Sequence, residues 1–316
     1  MKSNKIRFIF IGLTVLFAIT NLIFAEGLID NQADDFFKYP VGSRPSGMGN
    51  AYTAIADDGS APFYNSAGIG QISKTNISIM YNLLSKYKDH YQASVIWGSG
   101  QKEAIAITIN SFKVDNFADS LPGVNSTDEV FNLTNLSIGF TAAYKILPTW
   151  IIGGGAKYIN GIIHEYEASS VGLDTGTMLI LPLEKGMLKK IRAGISVMNL
   201  AASLKWNTES TYIDDILPQL RIGTSANIKI NSFDIIGTID YSQLLADKKD
   251  QDLDARLHFG AEAWYKETLA LRAGLNDKDV KMGASIKVRS FRFDYAYIPD
   301  FLNEREIHKL AIDFSY

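Results

Sequence analysis

Two adjacent acids and four histidines are the residues of this chain that first suggest chemistry. Asp57 and Asp58 stand before Gly59. Paired carboxylates can hold a cation, but acids ahead of a glycine more commonly form a turn by accepting hydrogen bonds from nearby backbone amides, and we predict that role for them. The histidines stand in separate segments without metal-ligand spacing: His90, His164, His258 and His308. We therefore predict no metal site.

A glycine triplet and the serines offer no better case for catalysis. Gly153, Gly154 and Gly155 lie inside an alternating run and lack the strand-to-helix context of a dinucleotide loop, so they fit close packing of strands or of a plug. No serine stands in a nucleophile-elbow pattern, and the chain has no cysteine for a thiolate, a disulfide or lipid attachment. The sequence predicts neither an enzyme nor a bound cofactor.

An export signal precedes the elements that must position these residues. Lys2, Lys5 and Arg7 come before an apolar run over residues 8–25. The run is long enough to span a bilayer as an uncleaved anchor, but the short basic start and the small residue at its end favour a signal peptide cleaved after Ala25. Residues 1–25 are therefore predicted to be a signal peptide.

Composition narrows the class of the remaining chain. Of the 316 residues, 47% are apolar, which is enough for a sizeable core, and the formal net charge is −3. Removing the predicted signal takes away three basic residues and no acidic one, so the remainder is more acidic still. An acidic chain is a poor partner for nucleic acid, and we predict no such partner.

Beyond the signal, apolar and polar residues alternate with the period of strands that have two different faces. Over residues 232–243, Phe233 and Ile239 share one face, while Thr238 and Asp240 share the other. Strands of soluble sandwiches usually have roughly five or six residues, whereas these runs approach the length of about ten that crosses a bilayer as a tilted barrel strand. Lipid offers the backbone no hydrogen-bond partner, so such a sheet must close on itself.

The alternation predicts about fourteen strands, an even number as in outer-membrane barrels. They cover residues 76–84, 90–98, 103–113, 130–145, 150–161, 167–181, 190–206, 217–230, 232–243, 254–265, 268–276, 279–288, 289–298 and 305–316. Four longer polar segments are predicted as extracellular loops: 114–129, 207–216, 244–253 and 299–304. The last strand alternates cleanly and ends in Tyr316, which predicts a signal for the barrel assembly machinery. The predicted fold class is all-β, a transmembrane antiparallel β-barrel of about 14 strands with an N-terminal hatch or plug.

The polar face of these strands carries charges of both signs. The predicted lumenal residues include Arg221, Lys229, Asp240, Arg256, Glu262, Arg272, Lys281, Lys287, Arg292, Asp294, Lys309 and Asp313. Charged groups in a narrow lumen are costly unless they are paired. We therefore predict ion-paired wall residues that hold a plug, in preference to a selectivity filter.

Residues 26–75 do not alternate, and they are rich in glycine and alanine, which lets backbone pack close to backbone. We predict that this segment is the hatch, inside a barrel formed by residues 76–316. The hatch resembles the N-terminal signature of the PorV/PorQ family in three stretches: Val41 to Tyr52, Ala56-Asp57-Asp58, and Asn65-Ser66-Ala67-Gly68-Ile69. That family is similar to the FadL-type long-chain fatty-acid transporters, which are fourteen-stranded outer-membrane barrels with an N-terminal hatch. The family pattern has proline where this chain has Ser66, so the rigid turn of that proline is not set here.

The resemblance implies a location in the cell outer membrane and two alternative functions. FadL-like barrels pass hydrophobic small molecules, such as long-chain fatty acids, through the hatch and sideways into membrane lipid. PorV-like barrels bind secreted proteins as components of type IX secretion. The residues do not separate the two, and we predict transport of hydrophobic small molecules, with the secretion role as the alternative. The hatch residues expected to gate a ligand are Gly42, Gly47, Met48, Gly49, Asp57, Asp58, Asn65, Ala67 and Gly68.

Overall fold

The computed structural model describes residues 39–85, 88–115, 132–183, 185–208, 212–245, 255–276, 279–299 and 306–316. The predicted signal peptide and the first part of the predicted hatch, residues 26–38, lie outside these ranges. The described part of the hatch contains the five-residue helix α1 (Ser43–Gly47) and two 3₁₀ turns, Ala61–Phe63 and Ser66–Gln71. Within the described ranges, no helix is long and apolar enough to cross a membrane.

The rest of the described chain is β-structure. Its strands are β1 (Asn76–Ser85), β2 (Lys88–Gly98), β3 (Glu103–Val114), β4 (Leu133–Leu147), β5 (Trp150–Ile163), β6 (Tyr166–Pro182), β7 (Leu188–Leu200), β8 (Ser203–Trp206), β9 (Ile213–Asp215), β10 (Gln219–Ile230), β11 (Phe233–Leu244), β12 (Ala255–Tyr265), β13 (Leu269–Asn276), β14 (Asp279–Val288), β15 (Phe291–Ile298) and β16 (Ile307–Ser315). β1 to β7 and β10 to β16 pair in chain order, and β16 pairs with β1, so fourteen antiparallel strands close a barrel. The predicted fold class is confirmed.

One predicted strand, 190–206, is wrong in its extent. The structure ends β7 at Leu200 and turns the chain there, because Asn199 and Ala201 adopt positive φ angles of 61° and 57°. The residues that follow form the short hairpin of β8 and β9, which pairs with β6 and lies outside the fourteen-strand closure. The apolar residues change phase here, from odd positions up to Val197 to even positions from Met198 onward, a signal of the break that the prediction overlooked.

The barrel wall has apolar side chains on its outer face and charged side chains on its inner face, the reverse of a soluble protein. Large apolar side chains point outward and are exposed, as at Phe140, Ile239 and Leu271, whose exposed fractions are 51%, 50% and 72%. Charged side chains such as Glu262 and Arg272 point inward and are buried. An apolar belt around a closed sheet is stable only against hydrocarbon, so the strands span a membrane.

The two ends of the barrel differ in their connections. At the end where β1 begins, the links between strands are short, as at residues 148–149 and 231–232. The four longest connections leave the opposite end, at residues 115–132, 201–218, 245–254 and 299–306, as predicted for extracellular loops. We name these the short-turn end and the long-loop end; in barrels of this class the short turns face the periplasm.

The core lies inside the barrel, between the hatch and the wall. Met48, Tyr52, Ile55 and Ile69 of the hatch are fully buried against wall residues, among them Ile151. Burial of apolar side chains between the hatch and the wall therefore stabilises the barrel, as a hydrophobic core stabilises a soluble domain.

Candidate functional site

The hatch spans the lumen and packs against opposite walls. Helix α1 contacts β13 to β16, whereas the 3₁₀ turn Ser66–Gln71 contacts β2 to β6. Between them, the chain crosses the barrel with nearly every residue buried. Passage through the lumen therefore requires that part of the hatch move.

Glycines of the hatch lie where a side chain has no room. Gly42 and Gly49 adopt positive φ angles of 87° and 65°. A Cβ on Gly49 would also stand 2.7 Å from the backbone nitrogen and oxygen of Leu275. A Cβ on Gly47 would stand 3.1 Å from the Cα of Gly283, a tighter contact than usual. These glycines bring the hatch backbone directly onto the wall.

Arg44 is the centre of an ion-pair network between hatch and wall. Its guanidinium donates to both carboxylate oxygens of Glu262, at 2.8 and 2.7 Å, and to Asp57 at 2.5 Å. Glu262 also accepts a hydrogen bond from Arg272 on the next strand. Arg44 lies 3.4 Å from Asp58, so one hatch side chain joins both hatch acids to the wall.

Further wall residues complete the network. Arg292 donates to Asp58 at 2.8 Å and to Asp313 at 2.9 Å, while Arg192 donates to Asp57 at 3.2 Å. The predicted role of paired wall charges is confirmed for Glu262, Arg272, Arg292, Asp294 and Asp313. Sequence reasoning missed Arg192, although its place on the inward-facing period of β7 was a usable signal. Lys229 pairs with Glu267 near the short-turn end and takes no part, and Arg256 and Lys287 are exposed.

Asp57 and Asp58 have two roles, of which the sequence predicted one. Asp58 accepts a hydrogen bond from the amide of Ser60 at 3.0 Å, which confirms the predicted turn. Both acids also bind the arginines of the network. Burial opposes ionisation of Asp57, but the guanidinium groups of Arg44 and Arg192 lower its pKa to about 2. Burial raises the pKa of the Tyr52 hydroxyl well above its usual value, so this group, which accepts a bond from Arg44 at 2.6 Å, stays neutral.

Several wall side chains bind the hatch backbone, three of them around residues 49–53. Asp240 accepts from the amides of Tyr52 and Thr53 at 2.8 and 2.7 Å. Arg221 donates to the carbonyl of Asn50 at 2.6 Å, and the Nδ1 of His258 lies 2.8 Å from the carbonyl oxygen of Gly49. The wall therefore satisfies backbone groups of Gly49, Asn50, Tyr52 and Thr53, in addition to the hydrogen bonds that the hatch makes within itself.

Asn65 fixes the second 3₁₀ turn to the opposite wall. Its side chain accepts from the amide of Ala67 at 3.0 Å and donates to the carbonyls of Thr53 and Thr177, each at 3.1 Å. The turn therefore forms with Ser66 in the place of the family's proline. Ala67 and Gly68 are buried, and Gly68 lies against Ala56.

Gly153 of the glycine triplet faces the hatch, which agrees with the prediction that the triplet allows close packing of a plug. A Cβ on Gly153 would meet the backbone of Ser66 and Ala67. A Cβ on Gly176, its cross-strand partner, would meet the side chain of Asn65. Both glycines allow β5 and β6 to touch the hatch directly.

The histidines serve separate local contacts. His90 lies 2.8 Å from the Asn110 amide oxygen inside the barrel, and His308 lies 2.8 Å from the Tyr295 hydroxyl on the outer face. His164 stands in the tight turn between β5 and β6 with a φ of 54°. In the part of the chain that the structure describes, no group of three His, Asp or Glu residues is arranged to hold a metal ion.

Two apolar clusters line the lumen toward the long-loop end. One consists of Leu84, Phe112 and Val114, with Tyr39 of the hatch stacked on Phe112 at a centroid distance of 4.8 Å. The other lies beneath the β8–β9 hairpin and contains Ile159, Ala168, Ala202, Leu204, Trp206 and Ile216. The interior of the barrel is therefore apolar toward this end.

Comparison with known proteins shows the fold. No protein-family model and no curated protein matches the chain. It is similar to the Pseudomonas putida toluene transporter TodX, with a TM-score of 0.59 and 9% identity over 87% of this chain and 98% of that one. It is also similar to the CymD monoaromatic hydrocarbon channel, with a TM-score of 0.52 and 12% identity over 87% of this chain and 96% of that one. A Pseudomonas aeruginosa FadL homologue is similar with a TM-score of 0.53 and 9% identity over 86% of this chain and 97% of that one. The shared fold is that of outer-membrane transport barrels, and the PorV/PorQ resemblance stays a prediction.

Proposed function

We propose that this chain is an outer-membrane transport protein for hydrophobic small molecules, with the hatch as its gate. The observation that carries the proposal is the hatch itself, held to both walls by Arg44, Asn65 and Asp240. A general porin needs a wide aqueous path, and a fourteen-stranded barrel occupied in this way leaves little of one. The buried apolar clusters toward the long-loop end give the lumen a lining whose chemistry matches an apolar solute.

The three similar structures support the substrate class. One is described as a toluene transporter, one as a monoaromatic hydrocarbon channel and one as a FadL homologue. Toluene and the other monoaromatic hydrocarbons are apolar molecules, which agrees with the proposed substrate class. Long-chain fatty acids, which the resemblance to FadL-type transporters implies, are the first ligands to test for this chain.

The same nine hatch residues are the proposed gating set: Gly42, Gly47, Met48, Gly49, Asp57, Asp58, Asn65, Ala67 and Gly68. Gly49 is the most suitable position at which to test the gate. Its φ of 65° and its contact with the backbone of Leu275 leave no room for a side chain. Gly49→Val should displace the hatch while the strands still pair. Gly47→Val should act in the same direction and more weakly, since its neighbour at 3.1 Å has to move only slightly.

Uptake of a labelled long-chain fatty acid by cells carrying each variant tests the gate, with barrel level measured by heat-modifiability on gels. Gly237→Val is the matched control, because a Cβ there meets nothing within 4 Å and points outward. We expect altered uptake for Gly49→Val at a normal barrel level and unchanged uptake for the control. Normal uptake by Gly49→Val, or no binding of such ligands by the unaltered protein, would count against the transport proposal.

A PorV-like role in type IX secretion is the second candidate. It is favoured by the β8–β9 hairpin, which presents Tyr212 and Ile213 at the long-loop end with exposed fractions of 61% and 51%. Exposed aromatic and aliphatic side chains at a barrel rim suit contacts with another protein. Co-purification of secreted proteins with the unaltered chain, lost in the double variant Tyr212→Ser and Ile213→Ser, would favour this role over transport.

A further inference from the structure

A groove of about 860 Å³ indents the outer wall of the barrel across β3 to β7. Its sides are formed by large outward-facing residues: Ile105, Tyr144, Trp150, Ile152, Ile195 and Val197. Its floor is a row of small residues that are cross-strand partners, Ala142 with Gly154 and Gly154 with Thr175. The row of small side chains between larger ones makes the lipid-facing surface concave at this place.

On the inner surface beneath this floor, the residues also have small side chains or none. Ala143, Gly153, Gly176 and Ser196 form the adjacent inward-facing row of partners. The hatch backbone at Ala67 lies directly against Gly153. Only the thickness of the sheet therefore separates the groove from the hatch.

The polar groups of the groove are satisfied within the wall. The indole nitrogen of Trp150 donates to the Thr177 hydroxyl at 2.8 Å, and that hydroxyl donates to the carbonyl of Ile151 at 3.1 Å. The Thr175 hydroxyl donates to the carbonyl of Gly153 at 3.4 Å. With these donors engaged, the groove offers an occupant apolar contact and few hydrogen bonds, which suits a hydrocarbon chain better than a sugar or a peptide.

The margin of the groove at the short-turn end is polar and charged. Glu103 lines it, and Lys102 stands before it in the turn between β2 and β3. Trp150 and Tyr144 stand at the same level, where aromatic side chains of barrels meet the lipid head groups. The head group of a lipid whose acyl chain entered the groove would lie at this margin.

We propose that this groove is a binding site for one acyl chain of a glycerophospholipid from the membrane leaflet at the short-turn end. The groove is continuous with the face that contacts the bilayer, so the nearest molecule of matching chemistry is a membrane lipid. The bound chain fills the hollow over Gly154 and supports the thin wall on which the hatch rests. This site lies outside the barrel and is independent of the transport proposed for the lumen.

The test compares bound lipid in three proteins purified in mild detergent: the unaltered chain, Gly154→Leu and the control Gly237→Leu. A Cβ on Gly154 has the carbonyl oxygen of Asp174 as its nearest neighbour at 3.6 Å, an ordinary contact, so a side chain can start there without a clash and extend into the groove. Gly237 also faces outward and has open space around it. Heat-modifiability verifies that each variant is a folded barrel, and native mass spectrometry with lipid extraction measures glycerophospholipid per protein.

We expect equal retention of glycerophospholipid by the unaltered chain and Gly237→Leu. Retention by Gly154→Leu should fall about tenfold, the effect of losing contact with roughly two methylene groups. Equal retention by all three proteins, or absence of phospholipid from the unaltered chain, overturns the proposal. A free fatty acid retained in place of phospholipid and lost in Gly154→Leu also overturns it, because the groove then takes a different occupant.

Discussion

At the scale of single residues, Arg44 accounts for most of the connection between hatch and wall. It is buried, and its five donors reach acids of both the hatch and β12. Burial opposes the charge of Arg44, yet the neighbouring carboxylates of Asp57 and Glu262 raise its pKa well above the ordinary value. The guanidinium is therefore a permanent charge that requires its partners, and removing one of them should release the hatch.

Glu262→Gln tests this dependence. The change leaves the guanidinium groups of Arg44 and Arg272 without their shared carboxylate, and breaking a buried pair in this way costs about 3–5 kcal/mol. Glu267→Gln is the matched control, because its pair with Lys229 spans 3.8 Å with side chains 77% and 48% exposed, and such pairs contribute about 0–1 kcal/mol. The test is the free energy of unfolding of each variant in lipid or detergent, compared with that of the unaltered protein. Equal effects at the two positions would contradict the central place of the network.

The hatch should also loosen in acid through Asp57. Its pKa is about 2 in the folded protein and 3.8 ordinarily, so the stabilisation is complete above about pH 4 and is lost as the pH falls toward 2. The protection of hatch amides against hydrogen exchange, taken relative to their intrinsic exchange rate at each pH, should decrease over this range as the pH falls. Asp57→Asn has no charge to lose there and should remove this part of the dependence. An identical pH profile for the two proteins would show that other groups control the transition.

At the scale of elements, β16 closes the barrel. It pairs with β15 on one side and β1 on the other, and Phe314 lies opposite both Phe291 and Ile77. The Phe314 ring also contacts Phe291 and Tyr316, at centroid distances of 4.9 and 5.5 Å. The last residues thus hold the closing seam at the short-turn end.

Deleting residues 314–316 should therefore prevent assembly. The deletion leaves the backbone groups of β1 and β15 unpaired at their short-turn ends, where lipid cannot satisfy them. Heat-modifiable barrel in the membrane fraction is the measurement, and Phe314→Tyr, which keeps the aromatic contact, is the control. Normal accumulation of barrel after the deletion would contradict the role of β16.

At the scale of the whole molecule, the apolar belt determines which substitutions the protein tolerates. Ile239 lies in the middle of β11, whereas Phe293 lies close to the short turn between β14 and β15. Both point outward and are about half exposed, at 50% and 44%.

Arginine at these two outward positions should therefore have effects that differ with depth. Ile239→Arg should cost about 2–4 kcal/mol, the range for a cation at the bilayer midplane, and Phe293→Arg about 0–1 kcal/mol, the range near the interface. Reversible unfolding in lipid vesicles measures the difference. Equal costs at both depths would contradict the placement of the strands in the membrane.

The sequence by itself determined the class of the fold, the number of strands in the barrel and the two faces of the wall. These properties follow from the period-two alternation, which is local: each side chain points opposite to its neighbours wherever the strand lies. Asp240 and Glu262 were therefore placed on the inner face before any partner was known. The lengths of the polar segments likewise predicted which connections are long.

Only the tertiary structure decided which groups meet. Arg44 contacts Glu262, 218 residues away, and Arg192 contacts Asp57, 135 residues away. Such pairings depend on how the sheet closes and on where the hatch crosses it, and neither is written in a local pattern. The groove over Gly154 has the same origin, because its lining comes from five strands that only closure of the barrel brings together.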